Sequence, residues 1–366
     1  SECPACGGAR LPSGVLRHDR RPSMSRRLRA SPLARALQRA ATSMTRTAFK
    51  AGAKAAGKAV ARTVDAVAAQ YRPPPGSGDW IAGQAMGPAG VRRFFLFRPL
   101  GVRNDERLPL LVMLHGCGQT AAVFARSTRM NRLATRERFL VLYPEQDVTH
   151  NPQGCWNWYD TRNYHADAEA ATLMAAIDQA CLLYPVDRDA VAVAGLSAGA
   201  SMAALLAVSY PQRFRAVAMH AGVPPGSARS AAGALAAMHG RRIPAAVDEE
   251  DARPPLLVIH GRDDVVVSPR NAQAAAAQWS AALGAVAGEA RIVQRGSRKP
   301  MTVTDFRRGR RVCVRLCEVD GLGHAWSGGA AGQLFSDDKG PDASSLIWRF
   351  VAAQLPKATA AATVRR

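Results

Sequence analysis

Between residues 91 and 261, short apolar runs alternate with longer segments of helical character, and this alternation constrains the fold more than any other feature of the chain. "VRRFFLFRP" (91–99) and "LPLLVMLHG" (108–116) read as strands, and the second is apolar on both faces, as a strand inside a sheet must be. "STRMNRLATRE" (127–137) has amphipathic helical spacing, "FLVLYPEQ" (139–146) is another buried strand, and "ADAEAATLMAAIDQACLLY" (166–184) is a long helix. "AVAVAGLS" (190–197), "FRAVAMHAG" (214–222) and "PLLVIHG" (255–261) continue the strands, with "AGASMAALLAVSYP" (198–211) as an intervening helix and "SSLIWRFVAAQL" (344–355) as a closing one. Helices alternating with buried strands predict a mainly parallel α/β sheet flanked by helices. Residues 224–254 break the rhythm and are expected to form a small cap.

The amino-terminal fifth follows different rules. Residues 1–75 carry 15 Lys and Arg against three acidic residues, Glu2, Asp19 and Asp65, so more than half of the net charge of +21 sits there. Arg46, Lys50, Lys54, Lys58 and Arg62 recur every four residues in an alanine-rich stretch, which would form one basic stripe on a helix. Gly52 and Gly57 weaken that helix by about 1 kcal/mol each. The expected organisation is therefore a basic, partly helical or disordered extension and linker over 1–75, ending in "YRPPPGSGDW", followed by a catalytic domain over 76–366. Residues 24–72 are a candidate anchor for an anionic surface or a polymer granule, with a solvated tail as the plain alternative. No specific nucleic-acid partner is expected. No apolar run approaches the roughly 20 residues of a transmembrane helix, and arginines interrupt any secretory leader. Cys3 and Cys6 form a lone CxxC with no second pair nearby, so no metal site is expected.

Chemistry enters at "VAVAGLSAGASMAAL" (191–205), where Ser197 stands between glycines at a strand-to-helix junction. Such a bend exposes a nucleophile on a strained backbone and aims the following helix's N–H groups at developing negative charge. A serine nucleophile needs a general base and the base needs a carboxylate, which in the α/β hydrolase order follow as acid and then histidine. "LLVIHGRDDVVVSP" supplies Asp263 and Asp264. Asp264 lies three residues after the strand-end Gly261 and three before Val267, where the α/β hydrolases usually carry the acid, and is on that likeness the expected one, while Asp263 suits a turn cap. "VDGLGHAWSGG" places His324 in a glycine-rich loop and makes it the expected base, whereas His115 and His260 stand at strand ends, where an imidazole braces a loop. The oxyanion donors are expected to be the backbone N–H groups of Ala198 and of Cys117 in "LHGCGQ". Of the tryptophans near these motifs, Trp326, two residues from His324, is expected to wall the site; Trp156 and Trp158 also lie in rim segments.

The run "LHGCGQTAAVFARSTRMNRLATRERFLVLYPEQ", with "CWNWY", "VAVAGLSAGASMAA", "AVAMHAGVPPG" and "GLGHAWSGG", resembles the poly(3-hydroxybutyrate) depolymerase family of esterases, which is related to feruloyl and acetylxylan esterases of the α/β hydrolase superfamily. The resemblance covers about residues 85–355. It implies the α/β hydrolase fold, Ser197, Asp264 and His324 as a catalytic triad, no cofactor, and hydrolysis of short-chain hydroxyalkanoate esters. It further implies a disulfide between Cys117 and Cys155, against the alternative of two free thiols, and an extracellular location, against a cytoplasmic, granule-associated one. Only about ten residues follow the matched region, so short oligomers, amorphous polymer or soluble esters are the expected substrates. The rival functions are a feruloyl or acetylxylan esterase and, of another class, a surface-binding protein acting through the basic tail.

Overall fold

The chain enters its sheet through an antiparallel hairpin, β1 (Gly78–Gly87) and β2 (Gly90–Pro99), and then alternates strand and helix. β3 (Leu108–Leu114) is followed by α1 (Ala121–Thr128), α2 (Met130–Glu137), β4 (Leu140–Pro144), α3 (His165–Leu183), β5 (Val186–Leu196), α4 (Ala198–Ser209), β6 (Ala216–His220), α5 (Ala231–Met238), β7 (Leu256–Gly261) and α6 (Arg270–Ala282). Short strands β8 (Val286–Ala287) and β9 (Arg291–Val293) lead to β10 (Met301–Arg308), β11 (Arg311–Val319), a small pair β12 (Trp326–Ser327) and β13 (Ser336–Asp337), and α7 (Ala343–Ala352). This computed structural model describes residues 74–242, 244 and 253–356, which belong to one compact unit, Val67–Arg366. The basic extension, apart from residues 74 and 75, lies outside the described residues, as do Cys3 and Cys6.

The sheet runs in the order β1-β2-β4-β3-β5-β6-β7-β11-β10-β8, with β9 also on β10. Its centre, β4-β3-β5-β6-β7-β11, is parallel throughout, and antiparallel pairs close both edges. Side-chain alternation along β3 explains why its whole run is apolar. Leu110, Val112 and Leu114 enter a core shared with α3, α4 and α6, whereas Leu111 and Met113 enter a second core on the other face with α1, α2 and α7. Each such buried side chain contributes roughly 1.5–3 kcal/mol, so the two cores hold the strand from both sides.

Local chemistry sets the ends of the helices around the sheet. Thr120 Oγ1 accepts the N–H of Val123 to start α1, and Asp342 Oδ1 accepts that of Ser345 to start α7. α4 has no side-chain cap, so its amino terminus is left open beside Ser197. The segment expected to form a cap contributes α5, started by Ser230. Among the described residues, no helix is long and apolar enough to cross a membrane.

Candidate active site

Ser197 stands between β5 and α4 with φ 56° and ψ −122°, a conformation that a non-glycine residue keeps only where its surroundings force it. The flanking glycines do the forcing. A Cβ on Gly195 would lie 2.3 Å from the carbonyl of Gly199, and a Cβ on Gly199 would lie 2.2 Å from the Leu114 oxygen and 2.4 Å from that of His115. Strand and helix therefore close to backbone contact on either side of the serine. The Ser197 N–H donates to the His220 carbonyl at 2.8 Å, which fixes the bend to β6.

His324 comes from the loop after β11, and its Nε2 lies 2.9 Å from Ser197 Oγ while its Nδ1 lies 2.7 Å from Asp264 Oδ2. A carboxylate only accepts, so Nδ1 carries the proton and Nε2 presents its lone pair to the serine hydroxyl. Asp264 is buried after β7, and its Oδ1 accepts the N–H groups of Val266 and Val267, each at 2.9 Å. His260 adds another donor: its Nε2–H faces the Val267 oxygen at 2.8 Å and Asp264 Oδ2 at 3.3 Å. Burial alone would raise the Asp264 pKa, but the hydrogen bonds from His260 and His324 outweigh it and hold the carboxyl far below the usual range. Asp263, the other acid of that turn, is exposed, and the carboxylate bonded to His324 is that of Asp264.

Cys117 and Ala198 line the same cavity as Ser197. Around Cys117 the neighbouring N–H groups are engaged, Gly116 with Gln119 Oε1 at 2.9 Å and Gly118 with the Gln153 carbonyl at 3.0 Å. The Cys117 N–H itself has no acceptor among the described residues. Cys117 is bonded to Cys155 in a disulfide with a Cα–Cα distance of 4.3 Å.

The cavity holds about 260 Å³, and its lining includes Trp156, Trp158 and Tyr159 together with Ala231, Ala234, Leu235 and Met238 of α5. Here one expectation needs correction. Trp326 is wholly buried and does not reach the cavity: after His324 the chain folds into β12, where the Trp326 indole stacks on His220 at 5.1 Å and donates to Ser344 Oγ at 3.2 Å. Nearness in sequence misled, because the backbone turns the indole into the core beneath β6. The aromatic ring beside His324 is instead Phe335, with ring centroids 6.5 Å apart. Sequence reasoning also missed the contact of His260 with Asp264, although its position at the end of β7 marked it as a brace. A larger cleft of about 550 Å³ between α2, α7 and residues 295–301 contains none of these groups. Among the described residues, no group of three or more His, Cys, Asp or Glu is arranged to hold a metal ion.

The architecture is that of the α/β hydrolases. An acetyl xylan esterase from Aspergillus awamori superposes with a TM-score of 0.57 at 19% identity, over 68% of this chain and 94% of that one. Sequence comparison narrows the class: the Esterase PHB depolymerase family model matches residues 92–297, and the chain belongs to that family. The matched span includes Cys117, Cys155, Ser197 and Asp264 and ends before His324. The chain is 32% identical to poly(3-hydroxyalkanoate) depolymerase C of Paucimonas lemoignei over 194 residues, 50% of this chain and 46% of that protein. It is 28% identical to feruloyl esterase B of Neurospora crassa, over 48% of this chain and 65% of that protein. With acetylxylan esterase A of Emericella nidulans it shares 25% identity, over 58% of this chain and 74% of that protein.

Proposed function

We propose that this protein is a serine esterase that hydrolyses short-chain hydroxyalkanoate esters or oligomers through an acyl-enzyme. The observation that carries the reading is the unbroken hydrogen-bonded series from Ser197 Oγ through His324 to Asp264, opening into an apolar cavity. In this reading His324 Nε2 takes the Ser197 proton as Oγ attacks the ester carbonyl, and Asp264 holds the imidazole and stabilises its cationic form. The N–H groups of Cys117 and Ala198 receive the oxyanion, each such donor lowering the barrier by roughly 3–4 kcal/mol. His324 then returns the proton to the leaving alcohol and activates the water that releases the acyl group.

A cavity of 260 Å³ with an alanine-lined wall suits a short acyl chain. Trp158 and Tyr159 in the cavity lining support a second reading as a feruloyl or acetylxylan esterase, since a phenolic ring would stack there. Initial rates on 3-hydroxybutyrate oligomers, methyl ferulate and acetylated xylan decide between them: the first reading expects the highest kcat/KM on the oligomers and fails if methyl ferulate or acetylated xylan is preferred. The Cys117–Cys155 bridge supports an oxidising, extracellular location. For the basic residues 24–72 we propose attachment to an anionic surface. Deleting residues 1–73 should then abolish salt-sensitive binding to anionic vesicles and leave ester turnover intact.

A further inference from the structure

Beneath the Cys117–Cys155 bridge lies a buried polar network that the proposed chemistry does not use. Arg92 of β2 and Glu169 of α3 are both buried, with Arg92 Nη2 3.2 Å from Glu169 Oε1. Gln146, just after β4, joins them: its Oε1 accepts from Arg92 Nη1, and its Nε2 donates to Glu169 Oε1 at 2.5 Å and to the Cys155 carbonyl at 2.9 Å. The Gln146 N–H donates to His115 Nε2 at 3.0 Å, and Nδ1 of that ring donates to the Gly116 carbonyl at 2.8 Å. Glu169 Oε2 accepts the Asn157 N–H at 2.7 Å, and Trp156 Nε1 donates to the His115 carbonyl at 2.9 Å.

An ion pair this deep is a weak device for stability, because desolvating both charges consumes most of their attraction and an apolar pair of similar volume often serves as well. What distinguishes this one is where its bonds go. Glu169 uses both oxygens, on donors from three segments: besides Arg92 of β2 these are Asn157, in the 155–157 stretch on one side of the disulfide, and Gln146, whose own N–H donates to His115 of the 115–117 stretch on the other. Every partner of Glu169 is a donor, so only the carboxylate form satisfies them all. Burial raises the Glu169 pKa, and the Arg92 guanidinium and the hydrogen bonds from Asn157 and Gln146 oppose that rise.

We propose that Glu169 is a positioning residue for the oxyanion hole, its carboxylate fixing the Cys117 N–H by anchoring both segments that flank it. The inference rests on the serine esterase reading above. A donor held out of place is felt where negative charge develops, in the transition state, and hardly at all in the bound substrate.

The test uses Glu169→Gln and, since that variant leaves Arg92 unpaired, also Gln146→Met, which keeps the shape and charge of the site. Active sites are titrated with a fluorophosphonate, and kinetics are measured per titrated site on a p-nitrophenyl ester. In both variants kcat should fall at least tenfold, short of the roughly 10²–10³-fold lost when a donor is removed outright. KM should stay within about twofold, and affinity for a trifluoromethyl ketone, which presents an oxyanion, should fall by the same factor as kcat/KM. A purely structural role predicts lower melting temperature with wild-type kcat and ketone affinity per titrated site, and that outcome in either folded variant overturns the proposal. A wild-type protein without ester turnover, or a Ser197→Ala variant that retains it, overturns the esterase reading itself and is seen before any network variant is made.

Discussion

The carbonyl oxygen of Leu114 sits 2.2 Å from the point where a Cβ on Gly199 would be, so the end of β3 and the first turn of α4 touch backbone to backbone. Neither oxygen that the new methyl would meet, that of Leu114 or of His115, belongs to a side chain able to turn away. Gly199→Ala should therefore force strand and helix apart, at about 3 kcal/mol of stability, near the top of the range for overpacking. Denaturant unfolding checks the stability, and a variant as stable as the parent would refute the contact.

Ser197→Ala and His324→Gln should each reduce turnover of a short p-nitrophenyl ester by at least about 10⁴-fold, because proton transfer and nucleophile act as a unit. Neither change disturbs the two cores, so melting temperatures should stay close to the parent. Substantial residual turnover in both would remove Ser197 from its proposed role.

Acid stability should be governed by two histidines that play no direct part in the proposed chemistry. Burial lowers the His115 pKa to about 4, and burial with the nearby His260 and His324 lowers that of His220 to about 3. Both rings also accept a backbone N–H through Nε2, from Gln146 and Ser327 respectively, which only a neutral imidazole can do. As the pH falls below about 6.5 the unfolded chain takes up protons that the folded one refuses, so stability is lost with falling pH at about 1.4 kcal/mol per unit per histidine. The raised pKa of Glu169 acts in the opposite sense, and the depressed pKa of Asp264 matters only below about pH 4. Urea unfolding should show about 3 kcal/mol lost between pH 6.5 and 5, and His220→Gln, whose amide oxygen can still accept the Ser327 N–H, should roughly halve that slope. An unchanged slope would clear His220 of the effect.

Much of this was legible in the residues and some was not. The central strands declared themselves because a strand buried on both faces must be apolar at every position, as β3 and β4 are. Ser197, Asp264 and His324 could be picked out because each stands just beyond an apolar run, and the structure brings the three side chains together. β1 escaped notice: "GDWIAGQAMG" is glycine-rich and half exposed, as an edge strand can be, and its partner β2 rather than its own pattern holds it extended. α1 was also missed, since eight residues with Ser127 and Thr128 buried look more polar than the core they enter. The failure at Trp326 and the network under Cys117 have one cause. Direction of a side chain out of a loop, and hydrogen bonds between residues 50 or more positions apart such as Arg92 and Gln146, depend on how distant segments are brought together.

Breaking the Cys117–Cys155 bridge should cost about 4 kcal/mol by chain entropy, given the 38-residue separation. The double variant Cys117→Ala/Cys155→Ala should accordingly melt several degrees lower than the oxidised parent, and thiol treatment of the parent should bring it to the same point. Identical melting with and without reductant would remove the bridge from the stability of the fold.

Bulkier side chains on the α5 face of the cavity should shift acyl preference without touching the reactive groups. Ala234→Phe fills space in the cavity and should lower kcat/KM for butyrate esters relative to acetate by roughly tenfold, in line with the 1–3 kcal/mol that one methylene is worth in a pocket. Equal losses on both esters would place Ala234 outside the acyl site.

The α5 wall carries a consequence for how such an enzyme diversifies. It is eight residues long, contributes no strand to the sheet and supplies none of Ser197, Asp264 or His324. Its Ala231, Ala234, Leu235 and Met238 nonetheless line the cavity that holds the serine. Under the proposed function, acyl preference and chemistry then lie largely in separate pieces of chain, so substitutions in one short helix can retune the first while the reacting groups stay as they are.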